Sequence, residues 1–137
     1  MTTGGCLCGA VRFEVSGKLR DVAVCHCSMC RKWHGSPGPY TDAERRNMRF
    51  LRDEGLGWYT SSSFARRGFC KRCGSSLFWE RPGAPRLSIA AGAFDDPTTL
   101  RTVRHIFTGS KGDWYEITDG LEQLPGSSQG LAGSIHD

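Results

Sequence analysis

At 137 residues the chain has the size of a single domain. Its 38% apolar share and 18 glycines fit a loop-rich β fold stapled by metal better than a helical bundle. Charged residues at 23% argue against wholesale disorder, and a net charge of +4 suits a small anionic ligand while falling short of a dedicated nucleic-acid binder.

The chain opens on Met1-Thr2-Thr3-Gly4-Gly5-Cys6, which has no apolar signal-peptide core, and no later run approaches the roughly 20 apolar residues of a membrane span. Gly4-Gly5-Cys6-Leu7-Cys8-Gly9 is flexible enough to aim Cys6 and Cys8 at one centre. Val11, Phe13 and Val15 alternate with Arg12 and Glu14, the pattern of a half-buried strand, and Asp21 to Cys25 reads as a second strand. That strand delivers Cys25-His26-Cys27-Ser28-Met29-Cys30 at its end. A turn or short helix over 31–35 is stopped by Pro37 and Pro39. Asp42 to Arg46 is expected to be at most one helical turn, with Asp42 as its cap. Strands are expected at 48–51 and 58–60, around the turn Asp53-Glu54-Gly55.

Cys70-Lys71-Arg72-Cys73-Gly74 is a zinc-knuckle pattern, followed by a strand over 76–80. The nearly all-apolar stretch Leu87 to Ala91 reads as a central strand. After a turn over 97–100, late strands are expected at 104–107 and 114–117. Trp33, Trp58, Trp79 and Trp114 are expected mainly in the core, and 126–137 as a disordered tail. The arginines at 45, 46, 49 and 52, with Arg66, Arg67, Lys71 and Arg72, form two moderate basic clusters that read first as solvated strand faces.

Seven cysteines cannot all be used in intramolecular disulfides, so a reducing, cytoplasmic setting is expected, in which thiols bind metal or react. They fall into Cys6/Cys8, Cys25/Cys27/Cys30 and Cys70/Cys73. A closed structural zinc takes four ligands and a reactive one keeps three. Seven therefore divides into a structural zinc on Cys6, Cys8, Cys70 and Cys73, and a second, open and labile one on Cys25, Cys27 and Cys30. A four-thiolate site from Cys25, Cys27, Cys70 and Cys73 is the other division, and the triple could instead be structural, closed by His26, His34 or water.

Three thiolates on Zn²⁺ leave a net charge of −1. Such a site is better suited to take up a fourth thiolate than to ionise water, and Arg31, Lys32, Arg66 or Arg67 would balance the added charge. His34, four residues after Cys30, is a candidate acid/base or ligand if the segment is helical. His105 reads as a core or pocket histidine.

Taken together, Gly5-Cys6-Leu7-Cys8-Gly9-Ala10-Val11, Cys25-His26-Cys27-Ser28-Met29-Cys30-Arg31, Arg67 to Leu77, Arg104-His105-Ile106 and Trp114 resemble the glutathione-dependent formaldehyde-activating enzyme family, which includes the centromere protein V group. The resemblance covers residues 4–125, taken as one domain. It implies a mainly β, Mss4-like fold of twisted antiparallel sheets with little helix, stapled by structural zinc. It also implies the same four-plus-three partition of the cysteines, with the triple as the catalytic zinc site. The implied activity is that of a carbon–sulfur lyase adding glutathione to formaldehyde, with the sulfur meeting Cys25, Cys27, Cys30 or their zinc. The tripeptide's carboxylates would then meet Arg31, Arg66 and Arg67. The alternative is a non-catalytic zinc module for a protein or nucleic acid. Exposed strand edges leave room for a homodimer.

Overall fold

The computed structural model describes residues 1–126; most of the expected tail lies outside the described residues. The fold is mainly β. Eleven strands and one α-helix are found among the described residues. A small sheet pairs β1 (Thr2–Gly5), β2 (Arg12–Val15) and β5 (Met48–Arg52) in the order β1-β2-β5. The large sheet uses β3 (Val22–Cys25), β4 (Gly38–Glu44), β6 (Leu56–Thr60), β7 (Arg66–Cys70), β8 (Ser76–Glu80), β9 (Arg86–Ala90), β10 (Thr102–Ile106) and β11 (Glu122–Leu124). Their order is β11-β10-β3-β4-β9-β8-β7-β6. Pairing is antiparallel except at β10, which runs parallel to both β3 and β11. The chain has no helix among the described residues that is long and apolar enough to cross a membrane.

Two apolar clusters fill the interior. One surrounds Phe13, whose ring meets Phe78 at 5.3 Å and Phe94 at 5.5 Å edge-on, and includes Cys6 and Cys70. The other contains Cys25, Cys27 and Cys30 with Tyr40, Trp79 and Ile106. Each cysteine group is thus built into one of the two cores.

β9 lies between β4 and β8, the central place expected of its apolar sequence. Two local expectations give way to tertiary contacts. Asp42 caps no helix: it sits in β4, fully buried, and its carboxylate accepts from Arg86 at 2.6 Å. The helical turn starts only at Arg45, as a 3-10 turn over Arg45–Asn47. Residues 114–117 form no strand, and Trp114 is 59% exposed. The last strand of the large sheet comes instead from Glu122–Leu124.

Candidate functional site

The Cys6/Cys8 pair and the Cys70/Cys73 pair meet. Cys6 directly follows β1 and Cys8 lies in the turn before β2; Cys70 closes β7 and Cys73 lies in the β7–β8 turn. That turn is tight because the Gly74 N–H bonds the Cys70 carbonyl at 2.8 Å, with Gly74 at φ +81°, where a side chain would be strained. All four Sγ atoms lie within 4.8 Å of one another. Cys8 Sγ is 3.7 Å from Cys6 Sγ and 3.8 Å from Cys70 Sγ. Tetrahedral zinc with Zn–S of about 2.3 Å requires sulfurs about 3.8 Å apart, so the donor set fits that ion. Thiolate character is favoured at Cys73. The Ser75 hydroxyl, 3.2 Å from Cys73 Sγ, and the Ser75 N–H hold the Cys73 thiol down at about 5.

The second group is local. Cys25 ends β3, and Cys27 and Cys30 lie at the start of α1 (Ser28–His34). Cys27 is the N-cap residue of α1, and its Sγ accepts the Cys30 N–H at 3.3 Å. Gly35, at φ 75°, ends the helix by donating its N–H to the Arg31 carbonyl. The three Sγ atoms converge within 4.8 Å, and all three residues are buried. Neighbouring thiols and burial push Cys25 well above the usual thiol range. Cys30 is drawn down by Cys25, but Cys27 and burial outweigh that and leave it at about 12. Three buried, convergent thiols are suited to a divalent cation, which relieves the crowding of negative charge when they ionise. The geometry therefore separates the cysteines four and three; Cys25 and Cys27 share no cluster with Cys70 and Cys73.

Of the expected cations, Arg67 reaches the triple. Its side chain is 1% exposed, and both terminal nitrogens lie 3.8 Å from Cys30 Sγ. Its neighbour Arg66 points to the other face of β7. It bonds Glu80 at 2.5 Å and lies 3.9 Å over the Trp58 ring. Arg66 is thus paired with Glu80 and does not face the three cysteines. Arg31, on α1, makes no ion pair among the described residues, and its Nε is buried without a hydrogen-bond partner. His34 lies outside the convergent ligand atoms. Its Nε2 is 2.6 Å from the Tyr40 hydroxyl, and it lines a separate cleft with Cys6, Pro39 and Asp95. Burial, helped by the Arg67 charge, lowers His34 to about 4, so the ring is neutral near pH 7.

A cavity of about 360 Å³ is lined by Met29, Lys32, Trp33, Tyr59, Ser61 and Arg67, the last of which also faces Cys30. That is near the small end of ligand pockets, which run from roughly 300 to 1,000 Å³. Trp33 and Tyr59 stack at 5.9 Å in its wall, and Trp33 is fixed by donating Nε1–H to Ser76 at 2.8 Å. The lining carries two cations and no carboxylate.

His26, between two of the cysteines, points away from them, to His105 and Tyr115. Burial, His105 and Lys111 lower its value to about 4. Neither Tyr115 nor Asp119, which bonds His105, was singled out by sequence reasoning; no spacing rule links them to the cysteines. The basic clusters are largely neutralised in place, with Arg46 on Glu44, Arg49 on Glu14 and Arg52 on Glu54.

A Schizosaccharomyces pombe protein named as an uncharacterized lyase is 37% identical over 76 residues, 56% of this chain and 55% of that protein, so the match spans about half the relative's length. A Halomonas elongata protein named "Putative glutathione-dependent formaldehyde-activating enzyme" is 33% identical, covering 83% of this chain and 79% of its own. A crystal structure of a Rhodobacter sphaeroides protein superposes with a TM-score of 0.61 at 27% identity, covering 75% of this chain and 98% of that one. The family profile described as "Glutathione-dependent formaldehyde-activating enzyme" matches residues 1–110, and the chain belongs to that family.

Proposed function

We propose that the protein is a zinc-dependent carbon–sulfur lyase that joins a small anionic thiol, glutathione or a relative, to formaldehyde or another small aldehyde, and reverses that addition. The observation that carries this reading is the convergence of three buried cysteine sulfurs beside the buried Arg67, a residue that also lines a small cationic cavity. Cys25, Cys27 and Cys30 would hold a zinc ion, which when bound would supply a Lewis acid with a coordination position for the ionised form of an incoming thiol. The protein's own groups do the rest. Arg67 balances the charge of the sulfurs from within the core, where low dielectric strengthens it. Lys32 at the cavity lining, with Arg31 on the same helix, attracts the carboxylates of the thiol. The Trp33–Tyr59 stack forms an apolar wall that limits water around the reacting sulfur.

In the addition, the thiolate sulfur forms a bond to the aldehyde carbon, the carbonyl π pair moves to oxygen, and that oxygen takes a proton from water. The product is an S-hydroxymethyl thiol, and the reverse reaction breaks the same carbon–sulfur bond. Cys6, Cys8, Cys70 and Cys73 hold a structural zinc in this reading.

Exchange between free formaldehyde and S-hydroxymethylglutathione, followed by NMR at equilibrium, tests the proposal. Zinc-loaded protein should exchange the two faster than buffer alone, and Cys27→Ser should return the rate to the spontaneous value. Equal rates with protein and without it would rule out this substrate pair.

A further inference from the structure

A chain of four hydrogen-bonded side chains runs behind the three-cysteine group. Asp119 Oδ2 lies 2.8 Å from His105 Nε2, His105 Nδ1 lies 2.8 Å from His26 Nε2, and His26 Nδ1 lies 2.7 Å from the Tyr115 hydroxyl. A carboxylate can only accept, so His105 donates through Nε2. With neutral rings every later bond then has its direction fixed: His26 Nε2–H donates to His105, and Tyr115 O–H donates to His26.

The fold explains how these residues meet. β10 runs parallel to β3 with His105 opposite Val24 and Ile106 opposite Cys25. The Ile106 carbonyl then accepts the His26 N–H at 3.0 Å, just beyond the end of β3. His26 is therefore held by its backbone and by both ring nitrogens, and it is the residue between two cysteines of the triple. Asp119 is itself set by the Leu121 N–H, which bonds its other oxygen at 3.0 Å. Lys111 Nζ donates to the Tyr115 carbonyl at 2.7 Å and fixes the near end of the segment. Tyr115 and Asp119 lie beyond residues 1–110, the stretch that the family profile matches.

We infer that Asp119 is a positioning residue, which through His105 and His26 braces the Cys25–Cys27 turn and so sets how firmly the three-cysteine group retains its metal. The inference rests on reading that group as a metal site. Partners behind metal ligands typically change retention by about 10- to 100-fold.

The test uses the full chain purified with zinc. Zinc per chain is counted by mass spectrometry, and its release to a chromogenic chelator is followed in time. Wild type should hold two zincs, one released faster than the other. Asp119→Ala should speed the faster release by about 10- to 100-fold and leave the slower zinc in place, which reports an intact fold. Asp119→Asn, whose amide oxygen can still accept from His105, should restore release close to the wild-type rate. Tyr115→Phe removes only the far hydroxyl and should give a smaller acceleration. Wild-type release from Asp119→Ala with the slower zinc retained overturns the brace. If Asp119→Ala loses both zincs, Tyr115→Phe decides, and release at the wild-type rate from that variant overturns the brace as well. A single zinc on the wild-type chain overturns the reading of the triple as a metal site and takes the inference with it, so the two failures are distinct.

Discussion

Both terminal nitrogens of Arg67 face the sulfur of Cys30 at 3.8 Å, from a side chain that is 1% exposed. A guanidinium in that place is costly to bury unless it meets negative charge, and the cysteine group is what it meets. Hydrogen bonds to charged groups contribute about 1.5–3 kcal/mol, or roughly 10- to 100-fold in an equilibrium. Arg67→Met keeps much of the volume and removes the charge. It should raise the KM for glutathione by about that factor, with a smaller change in kcat, in the formaldehyde exchange assay. An unchanged KM would reduce Arg67 to a packing residue of β7.

The four-cysteine group joins the turn before β2 to the β7–β8 turn, where the Leu7 N–H also donates to the Ser75 hydroxyl at 3.0 Å. A structural zinc contributes about 10–16 kcal/mol in small domains, comparable with the whole stability of a domain at about 5–15 kcal/mol. Cys70→Ser, which removes a fully buried ligand atom, should therefore abolish cooperative thermal unfolding in calorimetry. A strong chelator acting on the wild-type chain should do the same. A Cys70→Ser chain that still melts sharply near the wild-type midpoint would rule out the structural role.

His34 gives stability a pH dependence of known sign. Burial, with Arg67 second, lowers the folded value to about 4, against an ordinary value of 6.5. As pH falls, the unfolded chain takes up the proton first. The neutral ring, bonded to Tyr40, therefore contributes stability fully above about 6.5, and that contribution is lost as pH falls towards about 4. Urea midpoints at pH 7, 5.5 and 4.5 should fall less steeply for His34→Gln than for wild type. Protonation of the cysteines affects both proteins, so the difference between the two slopes isolates the histidine. Equal slopes would remove His34 from the effect.

The cysteine grouping was legible in the sequence because ligand spacing is a local property. C-x-C, C-H-C-x-x-C and C-x-x-C-G each fix a turn, and the count of seven suggests four and three. The strand pattern was legible for the same reason: alternation marks β2 and an apolar run marks β9. What remained hidden depends on distant pairing. Arg66 and Arg67 are adjacent and chemically identical, and only the orientation of β7 decides that Arg67 faces Cys30 while Arg66 faces Glu80. Asp42 looks like a helix cap until Arg86 is brought beside it by the β4–β9 pairing. His105, Tyr115 and Asp119 reach His26 only because β10 lies parallel to β3, a crossover that no short window of sequence encodes.

Glu80 carries the last prediction. Its carboxylate is 1% exposed at the end of β8, and it accepts from Arg66 at 2.5 Å and from Arg45. It thus ties β7 and the 3-10 turn after β4 to one point. Arg66 also lies over Trp58 on β6, so the contact extends to the sheet edge. Glu80 is buried but its two arginines are 38% and 39% exposed, so water offsets part of what its removal costs and the loss is about 1–3 kcal/mol. Glu80→Ala should therefore lower stability by that amount in urea unfolding, with two arginines left facing each other. Arg66→Met should lower it less, because Arg45 still pairs with the carboxylate. The exposed pair of Arg52 and Glu54 is the control: Glu54→Ala should leave the unfolding midpoint unmoved, since water screens that contact. If Glu80→Ala behaved like Glu54→Ala, the buried ion pairs would not be what aligns β7, and the placement of Arg67 against Cys30 would have to come from packing around Trp33 and Trp79 alone.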